Sequence, residues 1–206
     1  MTLPNDIRRC TACALATLRG TDCPPGAPAV AVPAEVGTRY HEGGLCFLAE
    51  SPGVQETVTG RPLVGRAGKV FDQLLADAGV GREDLLIMNR VRCHPPRNRL
   101  GDHPYALTAC DPWTRAELKV YNPGVVIVAG KTALSMVFPG NPRVGDIHGV
   151  ARATGEEFDY GARVWLATYH PAAIARRYSQ ELYDKVLADV EEGVRQWQRL
   201  SYQART

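Results

Sequence analysis

Four short apolar runs recur along the chain: LCFLAE at 45–50, DLLIMNRV at 84–91, GVVIVAG at 124–130 and VWLATYH at 164–170. The third is apolar throughout and β-branched, the composition of a strand buried on both faces of a parallel sheet. Helical spacing fills the intervals. In GKVFDQLLADAG the residues Val70, Phe71, Leu74, Leu75 and Ala78 form one stripe, and Gly79 suits its end. A second helical pattern runs from Thr108 to Lys119 and stops before Asn122-Pro123, KTALSMVF at 131–138 predicts a third helix, and Ser179 to Leu200 is amphipathic. Strand and helix in alternation predict an α/β fold, a three-layer α/β/α sandwich with a short, mainly parallel central sheet. The pattern fits a single domain over 1–206, broken by a Pro-, Gly- and Ala-rich irregular excursion at about 20–44 and opened by a short helix or turn reaching about Thr17. Ligands of such sheets bind beyond the carboxyl ends of the strands. The loops that follow three of the strands, ESPGVQE, NRVRCHPPRNR and HPAAIARR, hold the least ordinary residues of the chain.

With 206 residues, 45% of them hydrophobic, the chain can bury a real core. No apolar run reaches the ~20 residues that cross a bilayer, and MTLPNDIRRC lacks a signal-peptide pattern. The expected setting is therefore cytoplasmic or nucleoid-associated, for a monomer with no membrane partner. A net charge of +2 excludes a wholesale basic wrapper of nucleic acid. Basic residues are nevertheless grouped: Arg90, Arg92, Arg97 and Arg99 lie together, as do Arg61, Arg66 and Lys69, and Arg176 with Arg177 follows a histidine. Local groups of this kind are what phosphate contacts need.

Six cysteines in a reducing compartment argue for metal or buried thiols over disulfides. Cys10 and Cys13 form a C-x-x-C, while Cys93 and Cys110 bracket the loop CHPPRNRLGDHPYALTAC. Two thiolates from each region make a four-sulfur set that suits structural zinc or an iron–sulfur cluster. Cys46, inside LCFLA, reads as packed in a strand, and Cys23 lies in a Pro/Gly segment; both are set aside as bystanders.

Three ordered motifs then carry a resemblance. AESPGVQETVTGRPLVGRAG resembles the first motif of the iron–sulfur uracil-DNA glycosylases (family 4), MNRVRCHPPRNR resembles their second, and TYHPAAIARR their third. The cysteine layout is similar to that family's cluster ligands, and the likeness runs from Cys10 to the C-terminal helix. It implies hydrolysis of the N-glycosidic bond of deoxyuridine in DNA, leaving an abasic site. It also implies a [4Fe–4S] cluster on Cys10, Cys13, Cys93 and Cys110, and DNA as partner with the target base flipped out of the stack.

Such chemistry needs a donor to the leaving uracil, a carboxylate near sugar and water, and grips on phosphate. By the resemblance, His170 is the donor to uracil O2, acting as neutral imidazole. Glu50 orients or polarises water. Glu56 lies near C5 of the base and helps exclude thymine. Asn89 reads the uracil edge by accepting from N3–H and donating to O4. Gly53 lets backbone approach the base, while Arg66, Arg97, Arg99, Arg176 and Arg177 grip phosphates without reading sequence. Two positions depart from the family. Ser51 stands where Ala or Gly is usual and a hydroxyl is a poor base, so Glu50 keeps the larger burden. Leu63 replaces a phenylalanine that stacks on uracil, which removes an aromatic term of about 1–3 kcal/mol per base. The chain also lacks the insert with which some relatives trap the abasic sugar, although His94 and His103 lie in the cysteine loop. Alternatives left open by the residues are a glycosylase for a modified or otherwise damaged base, and a non-catalytic iron–sulfur protein that binds nucleic acid.

Overall fold

The four apolar runs form the four parallel strands of one sheet: β2 (Leu45–Ala49), β3 (Leu85–Asn89), β4 (Val125–Ala129) and β6 (Val164–Thr168). Short edge strands, β1 (Glu35–Val36) and β5 (Ala151–Ala153), pair antiparallel to β3 and β6, giving the order β1-β3-β2-β4-β6-β5. This computed structural model describes residues 7–138, 140, 142–153 and 164–203. The first six residues, part of the segment that lacks a signal-peptide pattern, lie outside the described residues.

Period-two alternation sorts the strand side chains between two layers. Leu45, Phe47, Ile87, Val125, Ile127 and Leu166 face α3 (Arg66–Asp77), α7 (Pro171–Arg176) and α8 (Gln180–Gln203). Cys46, Leu48, Leu86, Met88, Val126, Val128 and Trp165 face the other layer, built from α4 (Tyr105–Tyr121), α5 (Lys131–Leu134) and the turns after it. Each large apolar side chain so enclosed contributes roughly 1.5–3 kcal/mol. In α3 the buried residues Gly68, Phe71, Leu74 and Leu75 recur at helical spacing, and in α8 Val186, Val190 and Val194 do so. The predicted three layers are therefore present.

The helix expected at 131–138 is shorter than its pattern suggested. Only Lys131–Leu134 is α-helical, and turns follow. Met136, Val137 and Phe138 are consecutive and all buried, and a helix, advancing 100° per residue, would swing one of them away from the sheet. The excursion at 20–44 holds β1, and α1 (Leu15–Leu18), α2 (Val54–Thr59) and α6 (Val144–Ile147) complete the α-helices among the described residues. Among the described residues no helix is long and apolar enough to cross a membrane.

Strand register decides where the strands stop. Ala49 lies abreast of Asn89, and Ala129 abreast of Thr168. The four parallel strands thus end nearly level, and the residues just past them gather on one rim.

Candidate active site

Two adjoining hollows occupy that rim, one of about 330 Å³ and a cleft of about 720 Å³. They share Ser51, Arg66, Ala67, Asn98, His170 and Ala172. Gly53, Glu56, Leu63 and Asn89 line the smaller alone; Glu50, Arg97 and Arg176 line the cleft alone. Three motifs far apart in sequence therefore meet around one space.

His170 follows β6 and caps α7. Its Nδ1 accepts from the backbone N–H of Ala172 at 3.0 Å, which fixes the neutral tautomer with the proton on Nε2. Nε2 has no hydrogen-bond partner among the described residues, in a ring that lines both hollows. Burial, with a smaller push from the Arg176 guanidinium, lowers this imidazole to about 4, so it is neutral at physiological pH. Gly130, at φ 83°, makes room for the ring: a Cβ there would lie 3.2 Å from His170 Cβ.

Asn89 ends β3, is 2% exposed and makes no side-chain hydrogen bond among the described residues. Its amide opens onto the smaller hollow, where its donor and acceptor can pair with what enters. Glu50, just past β2, accepts from the Thr132 hydroxyl through Oε2, which orients the carboxylate in the cleft. Ser51 is half-buried where the hollows join.

Glu56 lines the smaller hollow and also grips the backbone around it. Its carboxylate is buried and accepts three backbone N–H groups, from Gly53 at 3.1 Å, Val64 at 2.9 Å and Gly65 at 2.8 Å. Both oxygens hold one wall of the small hollow together.

Leu63 belongs to the same wall and adopts φ 51°, a left-handed conformation costly for a leucine. Arg82 secures it, donating to the Leu63 carbonyl at 3.0 Å and the Pro62 carbonyl at 2.7 Å while paired with Glu35 and Asp72. Opposite, the Leu63 carbonyl oxygen would lie only 2.0 Å from any Cβ at position 68, which is why VGRAG carries glycine there. Gly68→Ala is accordingly expected to displace this wall and lower thermal stability by at least about 1–3 kcal/mol, the usual cost of overpacking. Thermal melts check this, and an unchanged midpoint would refute it.

The arginines divide. Arg66 reaches the Ala175 carbonyl at 3.1 Å, and Arg97 and Arg176 stand exposed at the cleft. Arg99 and Arg177 are exposed but line neither hollow. Arg90 and Arg92, which sequence proximity grouped with the phosphate contacts, are not available for them. Arg90 bonds the Thr132 carbonyl and Ser135, and Arg92, 1% exposed, is ion-paired with Glu117 on α4. Three polar cleft residues went unforeseen, Asn98, Lys131 and Tyr169. Asn98 sits in the run HPPRNR and Lys131 directly follows a predicted strand, so strand-end position was the signal for the latter. His94 and His103 line neither hollow.

Away from the rim, Cys10, Cys13, Cys93 and Cys110 join one small apolar cluster with Ile7, Leu15, Ala31, Val91, Leu100 and Ala106. Burial raises Cys93 to about 11, offset in part by the Arg19 guanidinium 3.9 Å from its Sγ, with Cys110 and Cys13 adding to the rise. Burial likewise raises Cys110, with Cys13 and Cys10 contributing. The four thiols are thus near enough to feel one another's charge. Among the described residues no group of three or more His, Cys, Asp or Glu is arranged to hold a single metal ion. Cys46 belongs to the opposite layer, and the Cys23 thiol donates to the Arg19 carbonyl at 3.8 Å.

The sequence profile of the uracil DNA glycosylase superfamily matches residues 40–191. The chain belongs to that superfamily. It is similar to the type-4 uracil-DNA glycosylase of Thermotoga maritima, 34% identical over 187 residues that cover 90% of this chain and 88% of the relative. The type-4 uracil-DNA glycosylase of Archaeoglobus fulgidus is 32% identical over 68% of this chain and 71% of its own length. That of Saccharolobus solfataricus is 30% identical over 83% and 74% respectively.

Proposed function

We propose that this chain is a uracil-DNA glycosylase, a hydrolase that cleaves the N-glycosidic bond of uracil in DNA and leaves an abasic site. The observation that carries it is the juxtaposition of an unpartnered, buried Asn89 amide with a His170 Nε2–H in one small hollow lined by the apolar Leu63. An amide accepts from N3–H and donates to O4 of uracil, a pattern that cytosine reverses.

In this mechanism Arg66, Arg97, Arg176 and Lys131 hold the phosphates along the cleft while the target nucleotide turns out of the stack. Leu63 covers the ring face and Asn89 fixes the base edge. As the bond from C1′ to N1 lengthens, the electron pair moves onto the uracil, and His170 donates a hydrogen bond to the O2 that gains charge. Glu50, its orientation set by Thr132, steadies the cationic sugar and aligns water. Water oxygen bonds to C1′ and loses its proton to the carboxylate or to solvent, and the uracil anion is protonated on release. Ser51 can hold that water in place. Arg99 and Arg177, farther out, grip neighbouring phosphates.

The four converging thiols fit an iron–sulfur cluster by the chemistry of the donor set. Cys10, Cys13, Cys93 and Cys110 would hold a [4Fe–4S] cluster, which when bound supplies a cross-link between segments and takes no part in bond cleavage. The protein acts as a monomer on uracil-containing DNA.

Asn89→Asp tests the assignment. The donor to O4 becomes an acceptor that repels it, so kcat/KM on a uracil oligonucleotide is expected to fall at least about 10-fold, more than so small a change of shape explains. Cleavage of a uracil-bearing duplex by the parent, with no release of cytosine or thymine, is the companion result. Equal rates for Asn89→Asp and the parent would refute the base-reading role.

A further inference from the structure

Among the residues that the proposed chemistry leaves unused, Asp22 reaches from the irregular segment to the edge of the cleft. It lies in the irregular segment at 20–44, and its Oδ2 accepts from the backbone N–H of Arg97, 75 residues away. The same oxygen stands 3.2 Å from Nε2 of His94, whose ring is fully buried and whose Nδ1 stands 3.1 Å from the Pro52 carbonyl oxygen. One carboxylate therefore ties three pieces of chain: its own segment, the loop at 94–98 and the turn Ser51–Pro52–Gly53. The Arg97 N–H is the first of the causes that hold the Asp22 carboxyl below its usual range, with His94 adding to it.

What the carboxylate holds is unusual backbone. Arg97 and Asn98 both take the left-handed conformation, at φ 58° and 54°. Asparagine tolerates that region but arginine disfavours it, and an arginine there on an exposed loop persists only where the surroundings fix it. Both side chains line the cleft, and Asn98 also lines the smaller hollow. The segment at 20–44 is itself laced to the body, with Val30 N–H on the Thr57 carbonyl at 3.2 Å, Val32 N–H on the Arg92 carbonyl at 2.7 Å and Arg19 on the Ala29 carbonyl at 2.9 Å. A strut anchored at one end can hold a strained loop at the other.

We infer that Asp22 is a positioning residue for substrate DNA: its carboxylate locks Arg97 and Asn98 in the left-handed turn that directs them into the cleft, so the 20–44 segment sets affinity for the strand. This rests on the proposal that DNA is the substrate. Asp22 touches no substrate and acts through Arg97. Its effect should therefore vanish when the Arg97 side chain is already gone.

The experiment measures affinity for a duplex carrying a non-cleavable 2′-fluoro-deoxyuridine, by fluorescence anisotropy at several salt concentrations, for the parent, Asp22→Ala, Arg97→Ala and the double variant. Single-turnover rates on a cleavable uracil duplex accompany it. Asp22→Ala is expected to weaken binding about 10-fold and to flatten the salt slope by about one ion, as loss of one phosphate contact does. The half-saturating enzyme concentration should rise while the plateau rate stays within about 3-fold. The double variant should bind no more weakly than Arg97→Ala alone. Should Asp22→Ala fail to fold, Asp22→Asn keeps an acceptor of the same shape and is carried through the same comparison, with a smaller loss that again disappears beside Arg97→Ala. Losses that multiply in the double variant, or a fall in plateau rate at unchanged affinity, would overturn the inference while leaving the glycosylase function standing. A parent that neither binds nor cleaves uracil DNA would overturn both.

Discussion

Replacing His170 with alanine is expected to slow uracil release at least about 100-fold in single turnover, because one preorganised N–H aimed at a developing oxyanion is typically worth that much. The neutral tautomer is set by the Ala172 N–H, so the donor stands ready without any change of protonation. DNA affinity should change little, since the phosphate grips and Asn89 remain. The pH dependence has a definite sign. With the folded imidazole held at about 4, activity should show no acid limb near the ordinary histidine value of about 6.5. Stability behaves differently. Between about 6.5 and about 4 the unfolded chain binds a proton that the folded protein refuses, so this group's effect is absent above 6.5, lowers stability as pH falls through that window and levels off below 4. Thermal melts of His170→Ala against pH should accordingly slope less steeply on the acid side than the parent's. An unchanged single-turnover rate in His170→Ala would sink the mechanism.

Loss of any one of Cys10, Cys13, Cys93 or Cys110 is expected to abolish colour and solubility together. Handled without oxygen, the parent should be brown, absorbing broadly at the blue edge of the visible. A cross-link closing a loop of about 100 residues is worth on the order of 4–5 kcal/mol in the chain-entropy account, a large part of the stability of a domain this size. Each of these cysteines to alanine should therefore give colourless, aggregating protein. Cys46→Ala and Cys23→Ala should keep the colour, because Cys46 packs in the opposite layer and the Cys23 thiol bonds the Arg19 carbonyl. Iron and sulfide analysis with visible spectra decides it. A colourless parent with one zinc per chain would replace the cluster with a zinc site.

The parallel strands and long helices were legible because burial writes itself as period two or period 3.6. Asn89 and His170 were locatable for a related reason: they end or follow apolar strands, and strand ends in such folds face the site. Arg92 shows where that logic was applied too narrowly. Continued past Asn89, the alternation puts Met88, Arg90 and Arg92 on the layer of α4 and α5, and there they find Ser135, Thr132 and Glu117. Nearness to Arg97 in sequence concealed that. The grip of Glu56 on the backbone was hidden for the opposite reason, since two donors from a turn eight and nine residues on, with a third three residues back, leave no trace in residue type. The contact of Asp22 with Arg97 is equally silent, a side chain meeting a backbone N–H across 75 residues. The helix that ends early at Leu134 failed because three consecutive apolar residues fit a helix pattern and a buried turn alike.

The gathering of thiols from opposite ends of the N-terminal half has a consequence for biosynthesis. Cys10 and Cys13 leave the ribosome about 100 residues before Cys110. At about 5–20 residues per second that is an interval of roughly 5–20 seconds. For most of it the first pair has neither of its later neighbours, because Cys93 precedes Cys110 by only 17 residues. Assembly of the quartet must therefore wait until Cys110 has been made.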